Sequence, residues 1–241
     1  MEQVQRFPNE AEEKVKRLKR LVMGDVHGRD FWKRHLEKDF SEFYILGDYF
    51  DSFDVPFEFQ LKNFLELCKA ARTDSRIKLC LGNHDYHYLK NIFRQEYSGF
   101  QARKVPQIRE ALEENMDLIK VLYVIENRII ISHAGVSTTF MEQMKSHGVH
   151  KPEDINSSFL QDRNILTFSG RNNYGDDVTQ SPIWIRPASL IKDHLAGYSQ
   201  IVGHTEHAII KVFTLEKASA EREALTLVIC DTGDRDLVYR F

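Results

Sequence analysis

The chain has 241 residues, 42% hydrophobic and 29% charged, with a formal net charge of −3. That is apolar material for one large core, without the cationic excess that captures nucleic acid electrostatically and without any run long enough to span a membrane. Cys68, Cys80 and Cys230 have no CxxC spacing and the amino terminus has no apolar signal, which points to buried free thiols in a cytoplasmic protein.

Residues 1–17 are polar and mixed in charge, expected to be a peripheral segment, with a solvated helix over 10–20. A strand over 18–23 leads into Gly24-Asp-Val-His-Gly28, and a short helix is expected over 30–38. The second strand, over 42–46, ends in Gly47-Asp48. Helical periodicity over 57–72 puts Phe57, Leu61, Phe64, Leu65 and Cys68 on one stripe. A third strand over 77–81 ends in Gly82-Asn-His-Asp85, followed by helices over 86–93 and 106–115. Two apolar runs over 122–131 read as a hairpin turning at Glu126-Asn127-Arg128, and the second leads into Ser132-His133-Ala134-Gly135. Residues 150–186 read as a long loop with a short helix, near the function rather than in the core. A strand over 199–202 runs into Gly203-His204-Thr205, and three more are expected over 209–214, 225–230 and 237–241. With no repeats and no linker, the chain reads as a single domain over 1–241.

One pattern recurs: a short apolar strand, a glycine, then a residue of metal-ligand type. It occurs at Gly24-Asp25, Gly47-Asp48, Gly82-Asn83 and Gly203-His204, with a relative at Ser132-His133. In open α/β sheets ligands gather at the carboxyl ends of the strands, so these five ends would meet on one rim. Asp25 and His27, two apart in an extended segment, share a face. Singly, Asp25 or Asp48 reads as well as a turn or cap residue, and His133 or His204 as a core histidine. The joint pattern is what makes a site. Its oxygen and imidazole donors, without thiolate, favour Mn, Fe, Zn or Ni over calcium. The aromatic group Tyr49, Phe50, Phe53, Phe57 and Phe59 reads as core or lid packing, and His87, His194 and His207 carry no assigned role.

The motifs Gly24-Asp-Val-His-Gly28, Gly47-Asp-Tyr-Phe-Asp51, Gly82-Asn-His-Asp85, His133-Ala-Gly135 and Gly203-His-Thr205 resemble, in order and spacing, those of the calcineurin-like metallophosphoesterases. The likeness is to the phosphoprotein-phosphatase branch, which includes bacterial diadenosine tetraphosphatases and phage phosphatases. It implies an α/β fold: a four-layer α-β-β-α sandwich of two mixed β-sheets flanked by helices. It implies two divalent transition-metal ions, manganese first, with iron, zinc or nickel as alternatives. Asp25 and His27 would bind the first, Asp48 would bridge, and Asn83, His133 and His204 would bind the second. His84, paired with Asp51, would be the general acid for the leaving oxygen. A histidine held by a carboxylate suits that task on chemical grounds as well.

Two departures matter. Where the phosphatase branch continues its second motif into a phosphate-clamping arginine, this chain has Ser52 after Asp51; Arg186, or failing it Arg29, would supply the charge. Glu206 stands where phosphodiesterase branches carry a second histidine after Gly-His-Thr, which favours a phosphatase and leaves the first ion with fewer ligands. The expectation is therefore a binuclear phosphomonoesterase acting by attack of metal-activated hydroxide on a phosphoprotein, nucleotide or small phosphorylated molecule, with no membrane or nucleic-acid partner. A diadenosine tetraphosphate hydrolase comes second, and a scaffold or binding protein on the same fold is the reading of another class.

Overall fold

The computed structural model describes residues 19–93, 96–168, 175–218 and 223–241. The peripheral segment expected over 1–17 lies outside them, as do nearly all of the helix expected over 10–20 and residues 169–174 of the irregular stretch.

The first sheet grows from the apolar run after Lys19. Strand β1 (Arg20–Met23) pairs in parallel with β2 (Glu42–Ile45), β2 with β3 (Ile77–Cys80), and β3 with the two-residue β4 (Ile119–Lys120). Strand β10 (Val238–Arg240) closes the other edge, antiparallel to β1 with Val22 opposite Tyr239. The second sheet has the order β5 (Leu122–Ile125), β6 (Ile129–Ser132), β7 (Ser199–Val202), β9 (Leu225–Ile229), β8 (Lys211–Glu216). Its central strands β6, β7 and β9 are parallel, while β5 and β8 lie antiparallel at the edges. The expected hairpin joins β5 to β6 and turns on Glu126 and Asn127, both with positive φ.

Alternation along the strands divides the core into layers. Val22, Tyr44 and Cys80 point inward against Ile131, Ile201 and Val228, with Leu46 and Cys230 filling the space between the sheets. Leu21, Met23, Phe43, Ile45 and Leu79 point the other way, into a cluster with Phe64 and Leu67. Those two belong to helix α1 (Phe57–Thr73), which starts behind Pro56, whose ring fixes φ and ends the preceding loop. Burying each of them is worth about 1.5–3 kcal/mol. On the outer face of the second sheet, Val202, Leu227 and Ile229 pack with Leu190. The layers are thus helix, sheet, sheet, helix, and both sheets are mixed, as the sequence implied.

Some elements differ from expectation. The helix expected over 86–93 is replaced by a single turn, α2 (Asn83–Tyr86), that starts at the motif itself. Tyr86, His87, Tyr88 and Leu89 are all buried, a run an amphipathic helix cannot bury, and Asn91 has φ 59° and breaks the chain direction. Helix α3 (Val105–Glu114) forms as expected. Helix α4 (Thr138–Met144), unassigned from sequence, is capped by Ser137, whose Oγ accepts from Phe140 N at 3.0 Å. The stretch over 150–186 is more regular at its start than a loop, with α5 (Asp154–Gln161) and a 3-10 turn Arg163–Leu166, and α6 (Pro187–Lys192) follows it. The segment 30–38 contains a 3-10 stretch, Phe31–His35, in place of an α-helix. On α1, Leu65 faces solvent at 43% exposure and Leu67 takes its place in the core. Among the described residues no helix is long and apolar enough to cross a membrane.

Candidate metal centre and its acid partner

Three of the parallel strands in each sheet deliver ligand-type residues to the same rim. From the first sheet, β1, β2 and β3 deliver Asp25, Asp48 and Asn83; from the second, β6, β7 and β9 deliver His133, His204 and Asp231. The glycines of the recurring pattern allow the ends to touch. A Cβ at Gly82 would overlap the Asp48 carboxylate, and one at Gly203 would overlap Asp25 Oδ1. His27, Asp48, Asp51 and His204 all have positive φ, 42°, 51°, 64° and 64°, a conformation non-glycine residues adopt mainly where the surroundings impose it. Part of that surrounding is α1. Its buried Asn63 donates to Arg29 O at 2.8 Å, and Gln60 donates to Val55 O at 2.6 Å and accepts from Ser52 N at 3.3 Å. One helix face thereby pins both ligand loops.

Asp25, Asp48 and His133 offer ligand atoms within 4.8 Å of one another. Backbone carbonyls decide which ring nitrogens remain free, because a carbonyl can only accept. His27 Nδ1 donates to Phe50 O at 2.8 Å, His133 Nδ1 to Leu46 O at 2.8 Å, and His204 Nε2 to Trp184 O at 3.1 Å. In each case the other ring nitrogen is the one left to face the cluster. His27 Nε2 lies 3.7 Å from Asp48 Oδ2, and His133 Nε2 lies 3.5 Å from the same oxygen. His133 Nε2 is also 2.8 Å from Asn83 Oδ1 and 3.1 Å from His204 Nδ1. Lone pairs turned on one another at this range repel unless a cation lies among them. Burial pushes His133 and His204 below the ordinary histidine pKa, so both are neutral donors. Burial raises Asp48 as well, but the surrounding imidazoles of His133, His84 and His27 outweigh it and hold this carboxylate below its usual range. Asp25 is pushed well up by burial and by Asp231 and Asp48. The donor set fits divalent metal, with six ligand-type groups facing a shared space.

Beside this cluster, His84 Nδ1 donates to Asp51 Oδ2 at 3.0 Å. Asp51 is more heavily engaged than the sequence suggested. His87 Nε2 lies 2.7 Å from the same oxygen, and the Tyr88 hydroxyl donates to Oδ1. Burial raises the Asp51 carboxyl, but the bonds from His84, His87 and Tyr88 hold it below the usual range. At His84, burial opposes protonation, yet Asp48 and the bond to Asp51 win and raise the imidazole. Asp85, noted from sequence only as part of its motif, ties the loops together: Oδ2 accepts from Asp48 N at 2.8 Å and Gly82 N at 3.0 Å, and Oδ1 from Tyr49 N at 2.7 Å.

His27, Asp51 and His84 line a cleft of about 280 Å³, together with Arg29, Phe53, Glu206 and Asp231. Arg29 reaches it but is held by Asp54 at 3.2 Å and Asp234 at 2.5 Å. Arg186 lies on the other side, its Nη1 donating to His204 O at 2.9 Å and Thr205 Oγ1 at 3.2 Å. Glu206 points outward, with 66% of its side chain exposed. The aromatic group divides, Tyr49 and Phe50 being fully buried and Phe53 and Phe59 exposed. Sequence reasoning missed Asp231 because Cys230, not glycine, precedes it; the strand end itself was the available signal. It also passed over His87, three residues after His84, since only the tight turn of α2 brings both rings to Asp51.

Two solved structures share this architecture. A crystal structure of a cold-active protein tyrosine phosphatase superposes with a TM-score of 0.56 at 14% identity, covering 91% of this chain and 74% of that one. A mutant of the same kind of enzyme gives 0.54 at 17%, covering 91% and 75%. A serine/threonine phosphatase from Saccharomyces cerevisiae, described as similar to human phosphatase PP5, gives 0.47 at 15%, covering 90% and 69%. No curated protein matches the sequence. The family model described as calcineurin-like phosphoesterase matches residues 18–207, which include every ligand-type residue of the cluster except Asp231. The chain belongs to the calcineurin-like phosphoesterase family.

Proposed function

We propose that the protein is a binuclear metal-dependent phosphomonoesterase acting on a phosphoprotein or a small phosphorylated substrate, with the whole chain working as one domain. The observation that carries this reading is that three imidazoles, each fixed by a backbone carbonyl, gather with Asp25, Asp48 and Asn83 beside the Asp51–His84 pair. Asp25 and His27 would hold one ion, Asn83, His133 and His204 the other, and Asp48 both. Manganese is the first candidate, and the ions would supply a hydroxide nucleophile at neutral pH and neutralise phosphoryl charge.

The chain's own residues do the rest. With Nδ1–H donated to Asp51, a protonated His84 carries its second N–H on Nε2, the proton for the departing oxygen. The shared carboxylate fixes the ring and favours the charged form. Arg186, already oriented by His204 O and Thr205 Oγ1, is assigned to the phosphate oxygens ahead of Arg29, whose charge Asp54 and Asp234 share. Buried, unpaired Cys68, Cys80 and Cys230 support a reducing, cytoplasmic setting.

The test is p-nitrophenyl phosphate hydrolysis with Mn²⁺, wild type against Asp48→Asn. Wild type should turn over, with the variant slower by at least about 10²-fold; equal, negligible rates would leave a scaffold on this fold. A bis-p-nitrophenyl ester should be the poorer substrate. A dinucleoside polyphosphate is the second reading, favoured by Phe53, which is 82% exposed and lines the cleft as a face for a base. Diadenosine tetraphosphate and a phosphopeptide assayed side by side separate the two, and a large preference for the dinucleotide reverses their order.

A further inference from the structure

We propose that Asp231 is an additional carboxylate ligand of the first ion, taking the position that Glu206 does not fill. The inference rests on the binuclear reading above. Among the parallel strands, β1, β2, β3, β6 and β7 end in residues already placed in the site. Another, β9, ends in Asp231. Its main chain is held there by Cys230 N donating to Val202 O at 2.7 Å and by His207 N donating to Asp231 O at 3.0 Å. Gly24 seats it against Asp25: a Cβ on that glycine would lie 2.6 Å from Asp231 Cα. Two strand ends from different sheets therefore touch, and each carries a carboxylate at the contact.

Asp231 is only 6% exposed, yet it lines the same cleft as His27 and His84. Its Oδ1 accepts from Gly233 N at 3.1 Å, and Oδ2 has no hydrogen-bond partner among the described residues. No arginine, lysine or histidine among those residues forms an ion pair with it. A largely buried carboxylate facing another across the cleft is stabilised by a cation or a proton. The free nitrogen of His27 and the Asp25 carboxylate are the donors a divalent ion would share with it, and oxygen-rich coordination suits the metals already favoured. Glu206, by contrast, is mostly exposed and folds over Gly233.

A purely structural role is the competing account, since the Oδ1 bond shapes the turn at Gly233. Asparagine keeps that bond and removes the charge, so the two roles separate. Mn²⁺ binding is measured by calorimetric titration of metal-free wild type, Asp231→Asn, Asp231→Ser and Glu206→Gln, with metal content counted after gel filtration. Wild type should take two ions. Asp231→Asn should keep one tight ion and bind the other roughly 10–100-fold more weakly, and Asp231→Ser should do the same. Metal-free Asp231→Asn should melt no lower than metal-free wild type, because one of two adjacent buried charges is gone. Glu206→Gln should bind as wild type does. Two ions of unchanged affinity in Asp231→Asn would overturn the proposal, as would a loss confined to Glu206→Gln. A wild type that binds fewer than two ions would instead bring down the binuclear reading itself.

Discussion

His84 sits where opposing influences nearly balance. Burial favours the neutral ring, while Asp48 and the Asp51 hydrogen bond favour the imidazolium, and the second pair prevails. If protonated His84 is the acid, activity falls as pH rises through its pKa. Replacing Asp51 with Asn removes one of the charges that raise that pKa, so the alkaline limb of the kcat profile should move to lower pH. Turnover should also fall by about 10²–10⁴-fold, the range for a misplaced general acid, in a pH-rate series that compares Asp51→Asn with wild type. An unmoved alkaline limb would take the proton-donor role away from His84. At this scale the sequence was legible where chemistry and local spacing coincide, as at Asp25 and His27 or at His84 next to Asn83. It was opaque where side chains meet only through the fold. His87 and Tyr88 follow His84 closely, but their joint hold on Asp51 depends on a residue more than thirty positions earlier.

The unit that builds the site is a strand, a glycine and a ligand, and the glycine is the part most easily tested. At Gly82 the motif loops of β2 and β3 are so close that any side chain would displace the Asp48 carboxylate, while Asp85 holds both loops by their N–H groups. Gly82→Ala should therefore cost about 1–3 kcal/mol by overpacking and weaken metal binding more than an equally destabilising core change elsewhere. Urea unfolding with a parallel Mn²⁺ titration checks both; a variant that keeps wild-type affinity would mean that the loops can part without disturbing Asp48. Strands were readable because parallel strands covered on both faces appear as short apolar runs, and α1 because one stripe stays apolar through four turns. The segment after His84 was misread for the opposite reason. Its aromatic residues are buried in succession, packed by the site around them, so periodicity carried no information about them. Over 150–186 the expected short helix is α5, whose burial rests on Ile155 and Phe159 alone; its polar composition left its bounds unmarked.

Across the molecule the site is also a clamp. Asp25, Asp48 and Asn83 hang from one sheet, while His133 and His204 hang from the other, so ions held by both would join the layers at their rim. Between them the sheets share an apolar interface but meet at the rim through close carboxylates and lone pairs, which repel. Under the proposed function, metal should therefore act as a structural tie as well as a catalyst. Binding only to the folded state at a free concentration about 100 times Kd adds about 2.7 kcal/mol, which for a chain of this length corresponds to a rise in Tm of about 5–10 °C. Thermal melts in chelator and in Mn²⁺ measure the rise directly. In Asp48→Asn, which removes the carboxylate proposed to hold both ions, most of it should vanish, while the chelator-treated variant should melt close to chelator-treated wild type. An equal Mn²⁺-dependent rise in both proteins would place the stabilising ion away from this rim. A rise in wild type alone would tie the coupling of the two sheets to the same carboxylate that the chemistry requires.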